Sequence, residues 1–243
     1  MNGRRLLIDA GNSSLKWAVV EDEQWRAHGR GDYGDWSALQ AQLTSGTRCF
    51  IASVTRAANE RQLATLLEAA SIAPAWLKTE ATFADMKNAY VNPQQLGVDR
   101  WMGLIGARQR THEPVLVVSV GTAMTVDALT ADGVFLGGVI VPGVALMRQA
   151  LRRGTAQIAD EAGEWQAFPR TTADAVQSGI VAALCGAIHV QHARLAEASH
   201  ATPRCLVTGG DAGMLLPHLD MPAEQVPSLV LEGIDCVARR RAR

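Results

Sequence analysis

The chain has 243 residues, and its 48% apolar share supports a packed core and excludes a disordered or collagen-like chain. A net charge of −1 excludes an overall basic field for nucleic acid, and the run Arg239-Arg240-Arg241-Ala242-Arg243 reads as a solvated tail. The four cysteines, Cys49, Cys185, Cys205 and Cys236, show no C-x-x-C pair and no zinc-ligand spacing, so they are expected as reduced thiols.

In chain order, strands are expected at 5–10, 15–21 and 24–30, then a helix near 36–43, a strand at 48–54 and an amphipathic helix over 59–70 built on Leu63, Leu66 and Leu67. A helix over 97–111 ends before Glu113-Pro114, where a boundary is placed between an N-terminal domain, 1–112, and a C-terminal domain, 113–243. The second half repeats the order, with strands at 115–119, 123–129 and 134–141, a long helix over 172–199, a strand at 205–207 and a last helix near 228–240. Repetition of an architecture argues for duplication. No run of eighteen apolar residues occurs and no leader pattern precedes the first strand, so a cytoplasmic protein with no membrane partner is expected.

The most informative feature recurs at matching places in the two halves. Asp9-Ala10-Gly11-Asn12-Ser13 follows the apolar run Leu6-Leu7-Ile8, and Ser119-Val120-Gly121-Thr122-Ala123 follows Val115 to Val118. Each puts glycine and a hydroxyl or amide residue at a tight turn after a buried strand, where main-chain N–H groups can approach a phosphate. Two such turns facing one another would grip the two ends of a polyphosphate. Glycines again follow a strand and precede a helix in Thr208-Gly209-Gly210-Asp211, marking a further nucleotide contact as an expectation.

These motifs, with Gly97-Val98-Asp99-Arg100-Trp101, Gly137-Gly138 and Pro142-Gly143, occur in an order that resembles the type III pantothenate kinases, of the acetate and sugar kinase, Hsp70 and actin superfamily. The resemblance spans nearly the whole chain. It implies an α/β fold of two ribonuclease H-like domains with ATP in an interdomain cleft. It further implies ATP-dependent phosphorylation of pantothenate to 4′-phosphopantothenate, the first step of coenzyme A synthesis, by a homodimer.

Residue roles follow from the same resemblance. ATP and its magnesium ion fall to Asp9, Ala10, Gly11, Asn12, Ser13, Ser14, Leu15 and Lys16, with Thr122 from the second turn; Asp9 is the metal residue. An aspartate at a strand end equally caps its own turn, and Lys16 equally faces solvent. Asp99 is the general base for the acceptor hydroxyl, and Tyr90, Gly97, Val98, Asp99, Arg100 and Thr172 contact pantothenate. Asp99 and Thr172 are also expected helix caps, and a tyrosine near a proline loop is often simply half-buried. His189 and His192 stand three apart without a third ligand and read as an exposed or interface pair.

Position 119 departs from the pattern. Most members of the family carry an aspartate there, associated with potassium or ammonium; Ser119 offers no charge, which puts the monovalent cation in doubt. Asp127, on the same strand face as Thr125, is the other carboxylate nearby in sequence. Two rivals share these phosphate turns. One is a superfamily kinase or phosphatase for another small molecule; the other is a regulatory or accessory protein without turnover.

Overall fold

The structure is a computed structural model describing residues 3–155, 158 and 161–241. It divides into two compact units, Met1–Arg110 with Ser228–Arg243, and Thr111–Pro227.

The first unit is built on a five-stranded sheet of β1 (Arg5–Ala10), β2 (Leu15–Glu21), β3 (Gln24–Gly31), β4 (Arg48–Ser53) and β5 (Pro74–Trp76), in the order β3-β2-β1-β4-β5. The β1, β2 and β3 strands form an antiparallel meander, and β4 and β5 continue parallel to β1. Strand alternation sorts the two faces. Leu6, Ile8, Ala10, Leu15, Trp17 and Val19 pack with Leu63 and Leu67 of α2 (Ala57–Ala69). The opposite face takes α3 (Val98–Arg110) and α7 (Leu229–Arg240). There Arg5 bonds Asp235 of α7 at 3.1 Å.

The last helix therefore belongs to the first unit, whereas a division at 112/113 assigns it to the second. Its reason is steric. A Cβ on Gly233 would meet the Met102 carbonyl oxygen at 1.8 Å, and one on Gly106 would meet that of Leu229 at 2.2 Å. Glycine at both positions lets the α3 and α7 backbones touch. This docking also engages the basic tail. Arg239 bonds Asp235 at 3.1 Å, Arg240 lies 5.6 Å from the Phe83 ring centre, and Arg241 bonds Glu80 at 3.2 Å. The tail is thus tied to its own unit as far as Arg241; Ala242 and Arg243 lie outside the described residues.

The second unit repeats the plan. Its strands are β8 (Val115–Val120), β9 (Ala123–Leu129), β10 (Val134–Pro142), β11 (Arg204–Thr208) and β12 (Glu224–Gln225), ordered β12-β11-β8-β9-β10. Again three strands are antiparallel and two continue parallel to the first. Both sheets thus have the ribonuclease H-like order that the resemblance implies. Over one face lies α5 (Thr172–Ser199), whose Ile180, Val181, Leu184, Ile188 and Leu195 join Val118, Val120, Met124 and Val126 in the core. This helix is long and apolar enough to cross a membrane by length and composition, but its apolar face is spent on the sheet.

Some elements differ from expectation. The helix at 36–43 shrinks to α1 (Ser37–Gln40), and two helices without an expected counterpart appear, α4 (Val144–Gly154) and α6 (Ala212–Leu215). The first unit also carries a short hairpin, β6 (Thr82–Phe83) and β7 (Met86–Asn88), leading into the loop before α3.

Candidate active site

Strand alternation puts Asp9 on the α3 and α7 side of its sheet, with Arg5 and Leu7, and Lys16 sits directly across from it on β2. The Asp9 carboxyl is pushed up to about 7, first by burial, then by the neighbouring Asp99 carboxylate, with Lys16 opposing. Asp99 enters from the first turn of α3. Burial raises its carboxyl too, against the pull of the Arg100 N–H and guanidinium. The structure therefore brings together two carboxylates from positions 90 residues apart.

The turn after β1 is closed by Gly11 N–H donating to the Ser14 carbonyl at 3.1 Å, which leaves Asn12 and Ser13 exposed at its tip. Leu15 and Ala10, named with the turn as ATP residues, have buried side chains that belong to the core, so only their main chain can serve a ligand.

Asp99 is not the cap residue preceding its helix; it is the second residue of α3, and its carboxylate accepts from the Arg100 N–H at 2.8 Å. A Cβ on Gly97 would stand 2.6 Å from the Asp99 Oδ1, so glycine there makes room for the carboxylate. Val98 and Arg100 are buried. The Arg100 guanidinium donates to the Tyr90 hydroxyl at 3.2 Å and lies 5.8 Å from its ring centre. Tyr90 is held in turn by its N–H donating to Asn88 Oδ1 at 3.1 Å, while Asn88 Nδ2 donates to the Pro93 carbonyl at 3.2 Å. Tyr90, Gly97, Asp99 and Arg100 thus form one cluster at the α3 N-terminus.

In the second unit, three separate motifs meet at one turn. The Gly143 N–H donates to the Thr122 carbonyl at 3.0 Å, and the Asp211 N–H donates to the Val120 carbonyl at 3.2 Å. Gly209 adopts φ +103°, and a Cβ there would meet the Val120 carbonyl oxygen at 2.1 Å; on Gly143 it would meet that of Gly121 at 2.0 Å. The close approach around Gly121-Thr122 therefore depends on the glycines that directly follow β10 and β11. Thr122 itself is exposed.

Thr172 lies exposed at the start of α5. The capping role expected of it belongs to Thr171, whose Oγ1 accepts from the Asp174 N–H at 3.1 Å, so Thr172 keeps its side chain out of the cap. His189 accepts from the Asp220 N–H at 3.2 Å and His192 contacts the Pro203 carbonyl at 3.0 Å; both half-buried rings serve local backbone, in place of an exposed pair. Among the described residues no group of three or more His, Cys, Asp or Glu is placed to hold a metal.

At position 119 the sheet register lines up three hydroxyl residues, Thr208, Ser119 and Thr125. The Thr125 Oγ1 is buried without a hydrogen-bond partner, and Asp127, two residues on along the same face, is 1% exposed.

The periodicity and motifs gave no signal for Tyr33, Ser53, Thr55, Asn59 or Glu60. Yet Tyr33 donates to the Gly11 carbonyl and Ser53 donates to Glu60 at 2.6 Å, all beside the Asp9 turn. Tyr33 follows β3, and the others fall between the end of β4 and the first turn of α2, where no glycine turn marks them.

A model of the family described as type III pantothenate kinase matches residues 5–194. A type III pantothenate kinase of Thiobacillus denitrificans is 62% identical over 243 residues, covering all of both chains. Among solved structures, a protein described as a Baf family transcriptional activator from Campylobacter jejuni aligns with a TM-score of 0.66 at 20% identity, covering 98% of each chain. MreB 5 of Spiroplasma citri, solved with AMPPNP, aligns with a TM-score of 0.51 at 9% identity over 100% of this chain and 98% of its own. These structural likenesses establish the fold, two ribonuclease H-like domains of the acetate and sugar kinase, Hsp70 and actin type.

Proposed function

The chain belongs to the type III pantothenate kinase family, and from that premise we infer that it transfers the γ-phosphoryl group of ATP to pantothenate, yielding 4′-phosphopantothenate for coenzyme A synthesis. The observation that carries the reading is the pairing of the buried Asp9 and Asp99 carboxylates beside an exposed Gly11-Asn12-Ser13 turn. Such transfer needs a phosphate cradle, a divalent cation and a group that orients the acceptor hydroxyl.

In this reading the turn's N–H groups and Lys16 hold the nucleotide phosphates, with Thr122 of the second unit as a further contact. Asp9 fits a magnesium ion on its own chemistry. A buried carboxylate raised to about 7 beside a second carboxylate is poorly compensated, and a divalent cation offsets both charges. That ion neutralises charge on the phosphates when bound. Asp99 accepts a hydrogen bond from the primary hydroxyl of pantothenate and takes its proton as the new P–O bond forms. Its raised carboxyl suits that task, since a weakly solvated carboxylate is a better acceptor. Arg100, which donates to the Tyr90 hydroxyl, pairs in this reading with the pantothenate carboxylate, and Thr172 is a further pantothenate contact.

Dimerisation is supported by the side of α5 turned from its sheet, where Ala175, Gly179, Ala182, Ala183 and Val190 are exposed and small enough for close helix contact. Four free thiols, two of them pushed up to about 12 by burial, fit a reducing cytoplasm. The hydroxyl row at Ser119 supports a kinase that needs no potassium or ammonium.

The deciding experiment is ATP-dependent phosphorylation of pantothenate by the purified protein with magnesium, with and without potassium or ammonium, alongside Asp99→Asn. Product from the parent and a large loss in the variant is the expected result. Nucleotide binding without product under any cation would favour the regulatory alternative.

A further inference from the structure

The end of β3 and the loop after it approach the first phosphate turn from both faces of the sheet. Tyr33 packs partly against the core under α2 and donates its hydroxyl proton to the Gly11 carbonyl at 2.5 Å. That proton has one destination, because a carbonyl only accepts. The phenol oxygen then receives a hydrogen bond from Thr55, and Thr55 Oγ1 receives one from Asn59 Nδ2 at 2.8 Å. The chain of donors runs in one direction, from the first turn of α2 to the phosphate turn. Burial raises the phenol's pKa, the Thr55 hydrogen bond opposes it, and the nearby Asp9 and Glu60 carboxylates add to the rise, which favours the protonated donor.

On the other face, Arg30 stands across from Lys16, which stands across from Asp9, so one row of the sheet reads Arg30, Lys16, Asp9. The Arg30 Nε donates to Ser14 Oγ at 3.0 Å. Its exposed guanidinium keeps further N–H groups on the side that carries Lys16 and Asp9.

The peptide bond is planar, so the direction of the Gly11 carbonyl sets the opposite direction of the Asn12 N–H. A donor that holds the carbonyl from below aims that N–H outward at the exposed tip. We propose that Tyr33 and Arg30 clamp the first phosphate turn, as positioning residues that aim its N–H groups at the polyphosphate of ATP. This rests on the kinase reading above, and it assigns the clamp to the nucleotide, leaving pantothenate unaffected.

The test is the MgATP dissociation constant by titration calorimetry, with steady-state kinetics, for the parent, Tyr33→Phe, Thr55→Val, Arg30→Gln and Arg30→Lys. Loss of one neutral hydrogen bond predicts about fivefold weaker MgATP binding in Tyr33→Phe. The same direction and a smaller effect are expected in Thr55→Val, which also serves if Tyr33→Phe folds poorly. KM for ATP should rise in step while KM for pantothenate holds. Arg30→Gln should weaken ATP several-fold, and Arg30→Lys should recover only part, since an ammonium lacks the planar fork that keeps Nε on Ser14 while its other N–H groups face a phosphate. Parent-like MgATP affinity in both Tyr33→Phe and Thr55→Val overturns the clamp. So does an equal rise in both KM values, which is what a general loosening would produce. A parent that binds MgATP yet leaves pantothenate unphosphorylated sinks the proposed reaction alone, because the dissociation constants still read the clamp.

Discussion

Replacing Asp9 with Asn should make the protein more stable at alkaline pH while abolishing its use of ATP. The folded-state carboxyl titrates at about 7 against 3.8 in its ordinary state. A group raised in this way favours folding only while it carries its proton. Its contribution is full below about pH 4 and is lost as the pH climbs through about 7, because ionisation must then occur inside the fold. At about 1.4 kcal/mol per pKa unit the ceiling is about 4 kcal/mol, and relaxation of the half-buried residue and its surroundings on ionisation reduces it to roughly 2 kcal/mol. Asn keeps the shape and removes the charge, so Asp9→Asn should exceed the parent by about 2 kcal/mol at pH 8 and match it near pH 4. Urea unfolding of both proteins at pH 4, 6 and 8 reads the difference directly. MgATP should raise the parent's midpoint and leave the variant's alone. A variant less stable than the parent at pH 8, or a difference that does not change with pH, would refute the buried-carboxylate reasoning.

Three further outcomes are expected. Asp99→Asn should lower kcat by about 10²- to 10⁴-fold with MgATP affinity kept, as measured by product formation and calorimetry. Gly233→Ala sets a methyl 1.8 Å from the Met102 carbonyl oxygen, so despite alanine's better helix propensity it should cost about 2 kcal/mol and lower the melting temperature. Because a hydroxyl row stands at Ser119, activity in sodium-only buffer should be within about twofold of that with potassium or ammonium; a steep rise on adding potassium would reject this.

Much of the architecture was legible because it rests on short-range patterns. Apolar runs located β1, β2, β8 and β9 within a residue, and glycines after them located the turns that follow β1 and β8. The α4 helix was legible too, since Val144, Met147 and Leu151 stand at helical spacing, although only Val144 is buried within it. The four residues Ser37–Gln40 make one helical turn, where the Ser37 N–H donates to Asp35 Oδ1 at 2.9 Å and Tyr33 meets Trp36 edge-on at 5.7 Å, contacts that periodicity does not reveal.

What the sequence by itself determined was the order of the motifs and the duplicated plan, and it singled out Asp9, Asp99 and Arg100 as candidates. Tertiary structure decided which of them meet. Local pattern carries no term for the approach of α7 to α3, since Gly106 and Gly233 matter only to one another, 127 residues apart. Likewise Tyr33 gains its role only when β3 returns beside the turn that begins at Gly11. Contacts that form across the fold depend on backbone separations, and those exist only after the chain has packed.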